Sequence, residues 1–597
     1  MSSESNKKPL AGGEFLLKDR DFQDVFVPED LNEDALMMAE AASEFVKNEI
    51  WPKVDEIDKN GRELVPPLLG QAGELGLLGT AIPEQYGGSG LDFNTNTAIT
   101  VAMGPSYSFG VAWAAHIGIG TLPILYYGSD AQKEKYLPGL TSGKLKAAYC
   151  LTEPGSGSDA LAAKTRADLS DDGEHYIING QKMWITNGGF ADLFIVFAKV
   201  GGEKFSCFIV DASSEGVKRG RDEPKMGIKG SSTTQVFFEN VKIPKENLLG
   251  EIGKGHKIAF NILNIGRFKL CAMVVGGSKI NCGLAVKYAN ERIQFGHPIS
   301  SFGAIKYKMA EQALRIYAVE SATYRVSDLI HQKIVQLISE GKKYEEALMG
   351  AAEEYAIECA MLKVFGSEVL DYVVDETVQI YGGYGYSEEY PAARAYRDAR
   401  INRIFEGTNE INRLLSVDML IKRAMKGALD VMGPAKKVEE ELMGIPEMGT
   451  EQTEGLLQKE LSQIRKAKKA ILMIAGKAVQ DLMQDLEKEQ EIIMNVADMM
   501  IELFAGESAI LRAQKVASAK GEEAAAPQIE MARVFASESM ERIQQHGRHA
   551  IQSFTEGDEQ RMLLLGLKRF TKYDPLNTKD LRRSIAARMI EANEYCF

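Results

Sequence analysis

Residues 403–414 read RIFEGTNEINRL and place one carboxylate, Glu406, directly before a Gly-Thr-Asn turn and a helical run. A glycine lets the backbone approach a ligand closely, and the free N–H groups of a helix start favour anions. A carboxylate beside such a turn can serve as a general base. Most glutamates are simply solvated, so the neighbouring sequence decides between these two interpretations.

The segments around this turn have two different textures. Apolar residues recur at helical spacing in residues 31–146, as at Leu36, Ala39 and Ala42, and again in residues 251–425. Residues 147–250 instead hold short β-branched runs near Asn179-Gly180 and Asn187-Gly188, which indicate antiparallel hairpins. We therefore predict an α+β multidomain fold with an N-terminal helical domain, a central antiparallel β domain and a helical bundle.

The two ends of the chain add further parts. Residues 1–30 predict a mostly irregular arm, and breakers such as Gly433-Pro434 and Gly449 predict a linker over residues 426–451. Residues 452–597 are helical in pattern and predict an extra C-terminal helical domain. At 597 residues the chain is too long for one hydrophobic core, which agrees with this division.

Composition excludes several classes of function. A formal net charge of −14 argues against nucleic acid as a partner. The 6 cysteines include no CxxC pair and the 7 histidines are dispersed, so we predict neither a metal site nor a disulfide framework. The first residues lack the apolar core of a secretory signal, and we expect a cytoplasmic location.

The loop from Tyr149 to Ala160 contains a Gly155-x-Gly157-x-x-Ala160 pattern like that of a dinucleotide-binding turn. That motif needs a helix and then a second strand, whereas a hairpin pattern follows here, so we reject a nicotinamide site. The hydroxyls of Thr152 and Ser158 still suit the polar edge of a ligand.

Two further segments combine turn signals with residues that could lie beside a bound ligand. Lys182-Met-Trp-Ile-Thr-Asn-Gly188 pairs Trp184 with the Thr186 hydroxyl, either as part of a core hairpin or as a wall for a flat cofactor ring. Gln379-Ile-Tyr-Gly-Gly-Tyr-Gly385 is rich in glycine inside a helical region, where each Gly costs about 1 kcal/mol relative to Ala. A close approach of the backbone to a ligand accounts for this density.

Together these segments resemble the acyl-CoA dehydrogenase family of flavoproteins. The matching segments are the Thr152–Asp159 loop, Trp184–Thr186, Glu291–Gly296, the glycine segment from Gln379 and Phe405–Asn409, in family order over about residues 30–425. Ile262–Phe268 and the helical extension are similar to the very-long-chain branch. The α–β–α organisation is also that of the family.

The resemblance implies FAD as the cofactor and assigns roles to the matching residues. The flavin ring would contact Thr152, Trp184 and Thr186, while Arg292 and Gln379 would reach the FAD of a neighbouring subunit. The implied cofactor-binding residues are Thr152, Ser158, Trp184, Ile185, Thr186, Arg292, Phe295, Gln379, Gly382, Gly383, Thr408 and Asn409. The implied substrate-binding residues are Ser158, Asn264, Arg267, Phe405 and Gly407.

The implied reaction is the α,β-dehydrogenation of a fatty acyl-CoA to a trans-2-enoyl-CoA, the first step of β-oxidation. Glu406 would take the α-proton while the flavin accepts a hydride from the β carbon. The Glu406 backbone N–H would stabilise the developing enolate. Closure of an apolar chain over Glu406 should raise its pKa toward the roughly 6–7 that suits a base.

The preferred chain length can be argued from Ala112–Gly120. Small residues there, including Ala115 and Gly118, would leave a deep slot for the substrate, although tight helix packing explains them equally well. The long-chain resemblance favours a long acyl-CoA.

Residues 416–437 interleave apolar residues with lysines, which suits either a peripheral membrane contact or docking on the protein itself. We expect a homodimer, with electron-transfer flavoprotein as the electron acceptor. Two alternatives remain open: an acyl-CoA oxidase, and an assembly or scaffold protein that keeps the fold without needing catalysis.

Overall fold

The computed structural model describes residues 9–444 and 454–597. The first helix starts where Asn32 accepts a hydrogen bond from the Ala35 N–H at 2.8 Å, and Ser129 with Gln132 forms a capping box. The N-terminal domain contains α1 (Glu33–Phe45), α2 (Val54–Glu74), α3 (Phe93–Met103), α4 (Tyr107–Ala115), α5 (Leu122–Tyr127) and α6 (Asp130–Thr141).

The central domain is an eight-stranded sheet in the order β6-β7-β3-β2-β4-β5-β8, with β1 also beside β4. Its strands are β1 (Ala147–Cys150), β2 (Arg166–Leu169), β3 (His175–Thr186), β4 (Leu193–Val200), β5 (Lys204–Asp211), β6 (Val217–Asp222), β7 (Thr233–Pro244) and β8 (Leu248–Leu249).

The predicted antiparallel β domain is confirmed in most of its pairings, but the sheet is mixed, because β1 and β2 each pair with β4 in parallel. Parallel pairing arises through long connections, which no local turn signal reveals. Asn179-Gly180 is also not a turn: it lies inside β3, where the register with β7 shifts. Asn187-Gly188 does follow the end of β3, as expected.

The bundle consists of α7 (Gly255–Glu291), α8 (Gly303–Ser339), α9 (Tyr344–Glu354), α10 (Ala356–Tyr381), α11 (Pro391–Ala399) and α12 (Asn409–Met425), with a short hairpin of β9 (Ile293–Gln294) and β10 (His297–Pro298). The extension contains α13 (Met432–Met443), α14 (Gln458–Leu482), α15 (Gln490–Lys520), α16 (Ala526–Phe554), α17 (Gly557–Phe570) and α18 (Thr578–Ala592).

The predicted linker at 426–451 is wrong in part, because α13 lies within it. Pro434 falls in the first turn of this helix, where a missing N–H is tolerated. Residues 445–453 lie outside the described chain. The predicted sequence of helical domain, β domain, helical bundle and helical extension is confirmed.

The arm and the extension share one apolar core with the bundle. A single cluster of buried residues includes Phe15, Tyr317 and Phe504, and the rings of Phe15 and Phe504 lie 4.9 Å apart. Two helical stretches of the described chain, Phe93–Tyr127 and Gly255–Glu291, are long and apolar enough to cross a membrane, but 78% and 67% of their most apolar windows are buried inside the protein. Core packing therefore accounts for their composition.

Candidate active site

Glu406 lies in a tight turn before α12 whose backbone is strained. Glu406 and Gly407 have φ angles of 58° and 81°, in the left-handed region that a non-glycine residue adopts only at a cost. The side-chain amide of Asn412 holds the turn by donating to the carbonyl oxygens of Glu406, Gly407 and Thr408 at 3.3, 2.9 and 3.0 Å. The Thr408 hydroxyl caps α12 by accepting from the Ile411 N–H at 3.3 Å.

Two buried cations support this turn from behind. Arg267, on α7, donates from Nε to the Glu406 carbonyl oxygen at 3.2 Å. Lys363, on α10, donates from Nζ to the Gly407 carbonyl oxygen at 2.7 Å. Burial lowers the pKa of Lys363 to about 7, and the nearby Glu406 charge opposes that shift. The turn is thus fixed by the helix that follows it and by two helices, α7 and α10, that are distant in sequence.

The Glu406 carboxyl group fits against α7 at a glycine. A Cβ atom added to Gly266 would lie 2.7 Å from Glu406 Oε2, so a larger residue would displace the carboxyl. Oε2 is buried and has no hydrogen-bond partner among the described residues. Burial raises the pKa of Glu406 to about 7, while the charges of Arg267 and Lys363 limit the rise. This carboxylate can therefore exchange a proton near neutral pH.

Glu406 lines a cavity of about 1130 Å³, a volume that includes its open mouth. One wall is a stripe along α7 from Gly266 to Asn281. The other walls come from α4 and the wide helical turn after it, from the end of β3 and from α10 and α11. The cavity brings together five residues singled out in the sequence: Ala115, Gly118, Thr186, Phe405 and Glu406.

A bulge at the end of β3 shapes the Trp184–Thr186 stretch. The pairing of β3 with β7 shifts between Lys182 and Ile185, and Trp184 has a left-handed φ of 61°. The Trp184 side chain is 53% exposed, whereas Ile185 is buried in the sheet core and can offer a ligand only its backbone. Lys182 forms a buried ion pair with Glu153 at 2.7 Å and so ties the hairpin to the loop after β1.

Thr152 and Ser158 lie in that loop, outside the cavity walls. Thr152 is half-buried and its carbonyl oxygen accepts from the Met183 N–H at 2.9 Å, whereas Ser158 is exposed. Both remain accessible to a ligand that extends past the cavity mouth.

The residues predicted to reach a neighbouring subunit lie together in a separate exposed region. Arg292 lies over the ring of Tyr384, with its guanidinium 5.4 Å from the ring centroid. An added Cβ at Gly382 or Gly383 would meet no atom within 4 Å, and Phe295 is 91% exposed. Gln379 is exposed as well. None of these residues lines the cavity of its own chain.

Three predicted contact residues are used inside the chain instead. Arg267 Nη1 donates to Asn264 Oδ1 at 2.7 Å, and both side chains are buried outside the cavity wall. Asn409 is buried, accepts from Lys363 at 2.7 Å and donates to Ser367 at 3.0 Å. The predicted substrate contacts of Asn264 and Arg267 and the predicted FAD contact of Asn409 remain predictions beside these contacts inside the chain. Adjacent helical positions face different sides, so a motif match does not decide which one meets the ligand.

The sequence interpretation missed four residues of the site: Gly266, Lys269, Lys363 and Asn412. A helical glycine costs about 1 kcal/mol relative to Ala, so Gly266 carried a usable signal. Lys269 is a cation on a helix whose other cavity-lining residues are mainly small or apolar. This break in the apolar pattern was a second signal in the sequence. Lys363 and Asn412 act through backbone carbonyls and carry no local signal.

Family models match almost the whole architecture. Acyl-CoA dehydrogenase models match at residues 32–144 (N-terminal domain), 148–241 (middle domain) and 253–421 and 466–569 (both C-terminal domains). A probable acyl-CoA dehydrogenase of Bacillus subtilis (strain 168) is 47% identical over 98% of this chain and 98% of its own length. The chain belongs to the acyl-CoA dehydrogenase family.

Three further relatives or solved structures are similar to this chain. The solved acyl-CoA dehydrogenase of Bacillus anthracis, complexed with FAD, has a TM-score of 0.96 and 46% identity, and the match covers 98% of this chain and 100% of that one. A mitochondrial very long-chain specific acyl-CoA dehydrogenase of Bos taurus is 36% identical over 80% of this chain and 72% of its own length. A chain in a structure of the electron transferring flavoprotein of Acidaminococcus fermentans is 37% identical, with a TM-score of 0.58 over 66% of this chain and 98% of that one.

The acyl-CoA dehydrogenase described here is therefore an FAD-dependent oxidoreductase, as the sequence predicted. The site fits such a cofactor on its own geometry. A large aromatic, Trp184, stands uncovered beside the cavity-lining Thr186, and that pairing suits a flat ring with a polar edge. Among the described residues, no group of three or more His, Cys, Asp or Glu could hold a metal ion.

Proposed function

We propose that this acyl-CoA dehydrogenase acts on long-chain fatty acyl-CoA and forms trans-2-enoyl-CoA, with Glu406 as the α-proton base. One observation carries the proposal: Glu406, whose Oε2 is buried without a hydrogen-bond partner in the described chain, lines a deep, mainly apolar cavity that Thr186 also lines. An acid of this kind, with its pKa raised by burial, is typical of catalytic bases.

Different residues of the chain would remove the proton and stabilise the developing charge. Glu406 takes the proton from the α carbon, and its raised pKa lets it hold that proton near neutral pH. The Glu406 backbone N–H, which has no acceptor in the described part of the chain, donates to the thioester oxygen as negative charge develops there. Arg267 keeps a positive charge behind the turn, and Lys363 holds the Gly407 carbonyl oxygen. FAD supplies the acceptor for the hydride that leaves the β carbon, and the new double bond joins these two carbons.

For FAD, we propose contacts with Thr152, Trp184 and Thr186 on the ring side. The exposed region at Arg292 and Gly382 would serve the FAD of a partner subunit in a homodimer, and its exposure in a single chain supports this. Sedimentation of the purified protein measures the oligomeric state, and a monomer that retains FAD would contradict the shared site.

The cavity length supports a long acyl chain. The α7 stripe from Gly266 to Asn281 covers 281 − 266 = 15 residues, or about 22 Å of helix. An extended alkyl chain advances about 1.25 Å per carbon, given C–C bonds of about 1.5 Å. The stripe can therefore accompany roughly 17 carbons.

The test compares kcat/KM for acyl-CoA thioesters from butyryl to stearoyl. We expect palmitoyl-CoA to exceed butyryl-CoA, and the opposite order would overturn the long-chain proposal. Gly118→Leu should shorten the slot and shift the preference toward short chains, because an added Cβ there enters open space in the cavity wall. Gly70→Leu is the matched control, since Gly70 also has open space around it but lies on α2 away from the cavity.

For the electron acceptor we propose an electron-transfer flavoprotein, which the relative found in an electron-transferring flavoprotein structure supports. The alternative is an oxidase that passes electrons to oxygen. Palmitoyl-CoA turnover in air with stoichiometric peroxide would favour the oxidase. A yellow protein without turnover of any acyl-CoA would favour the scaffold alternative.

We also propose a cytoplasmic location and a peripheral membrane contact through residues 416–437. Met425 and Met432 are 83% and 54% exposed, and Lys422 lies near them in sequence, which suits an anionic lipid surface. Leu420 and Val431 of the same segment are buried, so only part of it is available. Co-sedimentation with anionic vesicles tests this, and a Met425→Ser, Met432→Ser protein that sediments as well as the wild type would contradict it.

A further inference from the structure

Lys269 is a charged residue of the cavity wall that the proposed reaction does not use. It lies on α7, one helical turn beyond Gly266, and lines the same cavity as Glu406. Its neighbours along that wall, Leu270 and Met273, are apolar. The substrate cavity therefore contains a cation a short way beyond the reacting carbons.

The ammonium of Lys269 differs from those of buried lysines that pair with a carboxylate. Lys182 pairs with Glu153 at 2.7 Å and Lys468 pairs with Glu507 at 2.6 Å. Within the described chain Lys269 has no such partner, and burial alone lowers its pKa to about 8.

The remaining titratable groups in the cavity wall do not supply a partner. Tyr107 comes from α4, Asp398 from α11 and Glu406 from the turn before α12. Asp398 accepts a hydrogen bond from the Ile228 N–H, and Glu406 fits against Gly266. Lys269 is left for a ligand or for water in the cavity.

An acyl chain that enters the cavity expels this water. A plain alkyl chain would then surround the ammonium with methylene groups, and burying an unpaired charge is costly. A carboxylate carried on the chain would instead form a charge-assisted hydrogen bond with it. The wall thus favours a substrate that brings its own negative charge.

We propose that Lys269 makes this cavity a binding site for acyl-CoA thioesters whose chain carries a second carboxylate. The proposal rests on the proposed function, because it takes the acyl chain to occupy the cavity. Lys269 lies about 4.5 Å beyond Gly266 along the helix and has a flexible stem. The second carboxylate therefore belongs on a chain of intermediate length, as in suberoyl-CoA, and not at the far end of the cavity. Long plain chains bind when Lys269 loses its proton.

Binding separates this role from catalysis. The FAD-loaded Glu406→Gln protein, in which proton removal is blocked, is titrated by calorimetry with suberoyl-CoA and with octanoyl-CoA. We expect suberoyl-CoA to bind at least ~10-fold more tightly, as a close buried charge pair allows. Adding Lys269→Met should remove this preference, and Lys269→Gln provides a second variant if the first folds poorly. Lys287→Met is the matched control, since Lys287 lies on the same helix, is exposed and is absent from the cavity wall.

The pH dependence of binding gives a second signature. Octanoyl-CoA favours the neutral amine, so its affinity should rise as the pH passes through about 8. Suberoyl-CoA favours the ammonium, so its affinity should fall over the same range. Both trends should disappear when Lys269→Met is added to the Glu406→Gln protein, although Tyr107 and Asp398 of the cavity wall remain.

Equal affinities for the two thioesters in the protein that retains Lys269 would overturn this proposal, and so would a preference for suberoyl-CoA that survives Lys269→Met. Failure of the proposed function is a different result: the wild-type enzyme would not turn over palmitoyl-CoA, whatever the calorimetric ratio. If neither thioester binds at all, both proposals are wrong.

Discussion

The cavity at Glu406 and the junction between bundle and extension differ in whether their charged side chains are paired within the chain. At the junction, Arg512 pairs with Glu29 at 2.8 Å and with Glu320 at 2.9 Å. In the cavity, Glu406 Oε2 is buried without a partner among the described residues, and the half-buried Lys269 of the same wall forms no ion pair there. A buried charge that is paired inside the chain lowers the stability of the fold only slightly and fixes the packing around it. An unpaired buried charge lowers the stability more and is available to bind a ligand.

This comparison separates residues that maintain the fold from residues that act on the substrate. Changes in the cavity should alter turnover and leave stability intact or improved. Changes at the junction should do the reverse.

The largest expected effect is on turnover. Glu406→Gln should lower kcat with palmitoyl-CoA by ~10² to ~10⁴-fold, because it removes the general base. The same change should not lower the melting temperature at pH 8. The pKa of Glu406 in the folded protein, about 7, lies above its usual value of 4.5. Ionisation of this carboxyl therefore lowers the free energy of unfolding as the pH rises from 4.5 to about 7.

Glu410→Gln is the control for this variant, since Glu410 is exposed in the first turn of α12. It should retain wild-type kcat. A Glu406→Gln protein with near-normal kcat would show that Glu406 is not the base. It would also contradict the functional difference between the cavity and the junction.

The matching change at the junction is Arg512→Met. It leaves Glu29 without its partner and Glu320 paired with Lys279 alone, and it should lower the free energy of unfolding by ~3–5 kcal/mol. The kcat of the folded fraction should be unchanged. Denaturant titration measures the first quantity, and assays at low temperature measure the second.

Lys488→Met is the control for the junction, because Lys488 pairs with Asp485 at a largely exposed site. Its effect on unfolding should stay within ~1 kcal/mol. Loss of kcat in Arg512→Met without loss of stability would mean that the junction acts on the active site.

A smaller effect on turnover is expected from Gly266→Ala. The new methyl group would fall 2.7 Å from Glu406 Oε2, so the carboxyl must move and kcat should drop by ~10 to ~10²-fold. Gly283→Ala on the same helix should not affect kcat, because its added Cβ meets only Tyr595 N at 3.6 Å. Equal kcat in the two variants would show that the position of the carboxyl is not critical.

The smallest effect is on the pH profile of the wild type. Because only ionised Glu406 can accept a proton, kcat/KM should rise about tenfold from pH 6 to pH 8 and level off above the pKa of about 7 in the free enzyme. The residual rate of Glu406→Gln should lack this rise. A wild-type profile that is flat from pH 5 to pH 8 would show that Glu406 does not have the raised pKa.

Local patterns predicted the turn at Glu406 and the domain order well. The Glu406-Gly407-Thr408 turn carries its own determinants, a glycine at positive φ and a helix cap, and the β3 hairpin likewise carries Asn187-Gly188. What the sequence could not supply is orientation. Gly266 and Arg267 are neighbours in the chain, yet one makes room for the Glu406 carboxyl and the other supports its backbone from behind.

Contacts between segments that are distant in sequence could not be predicted from local patterns either. Lys363 meets the Glu406 turn only because α10 packs beside α12, and Arg512 meets Glu29 only after the extension folds onto the arm. The parallel pairing of β1 with β4 has the same origin. Periodicity identifies elements, but tertiary packing decides which of their side chains meet.

The central claim is that a buried, unpaired Glu406 removes the α-proton of a long acyl-CoA bound in the cavity next to FAD. The most direct measurement is the visible spectrum of the purified protein before and after anaerobic palmitoyl-CoA, for the wild type and for Glu406→Gln. We expect the oxidised flavin absorption of the wild type to be lost and that of Glu406→Gln to persist on the same timescale. Equal bleaching of both proteins, or none in the wild type, would contradict it.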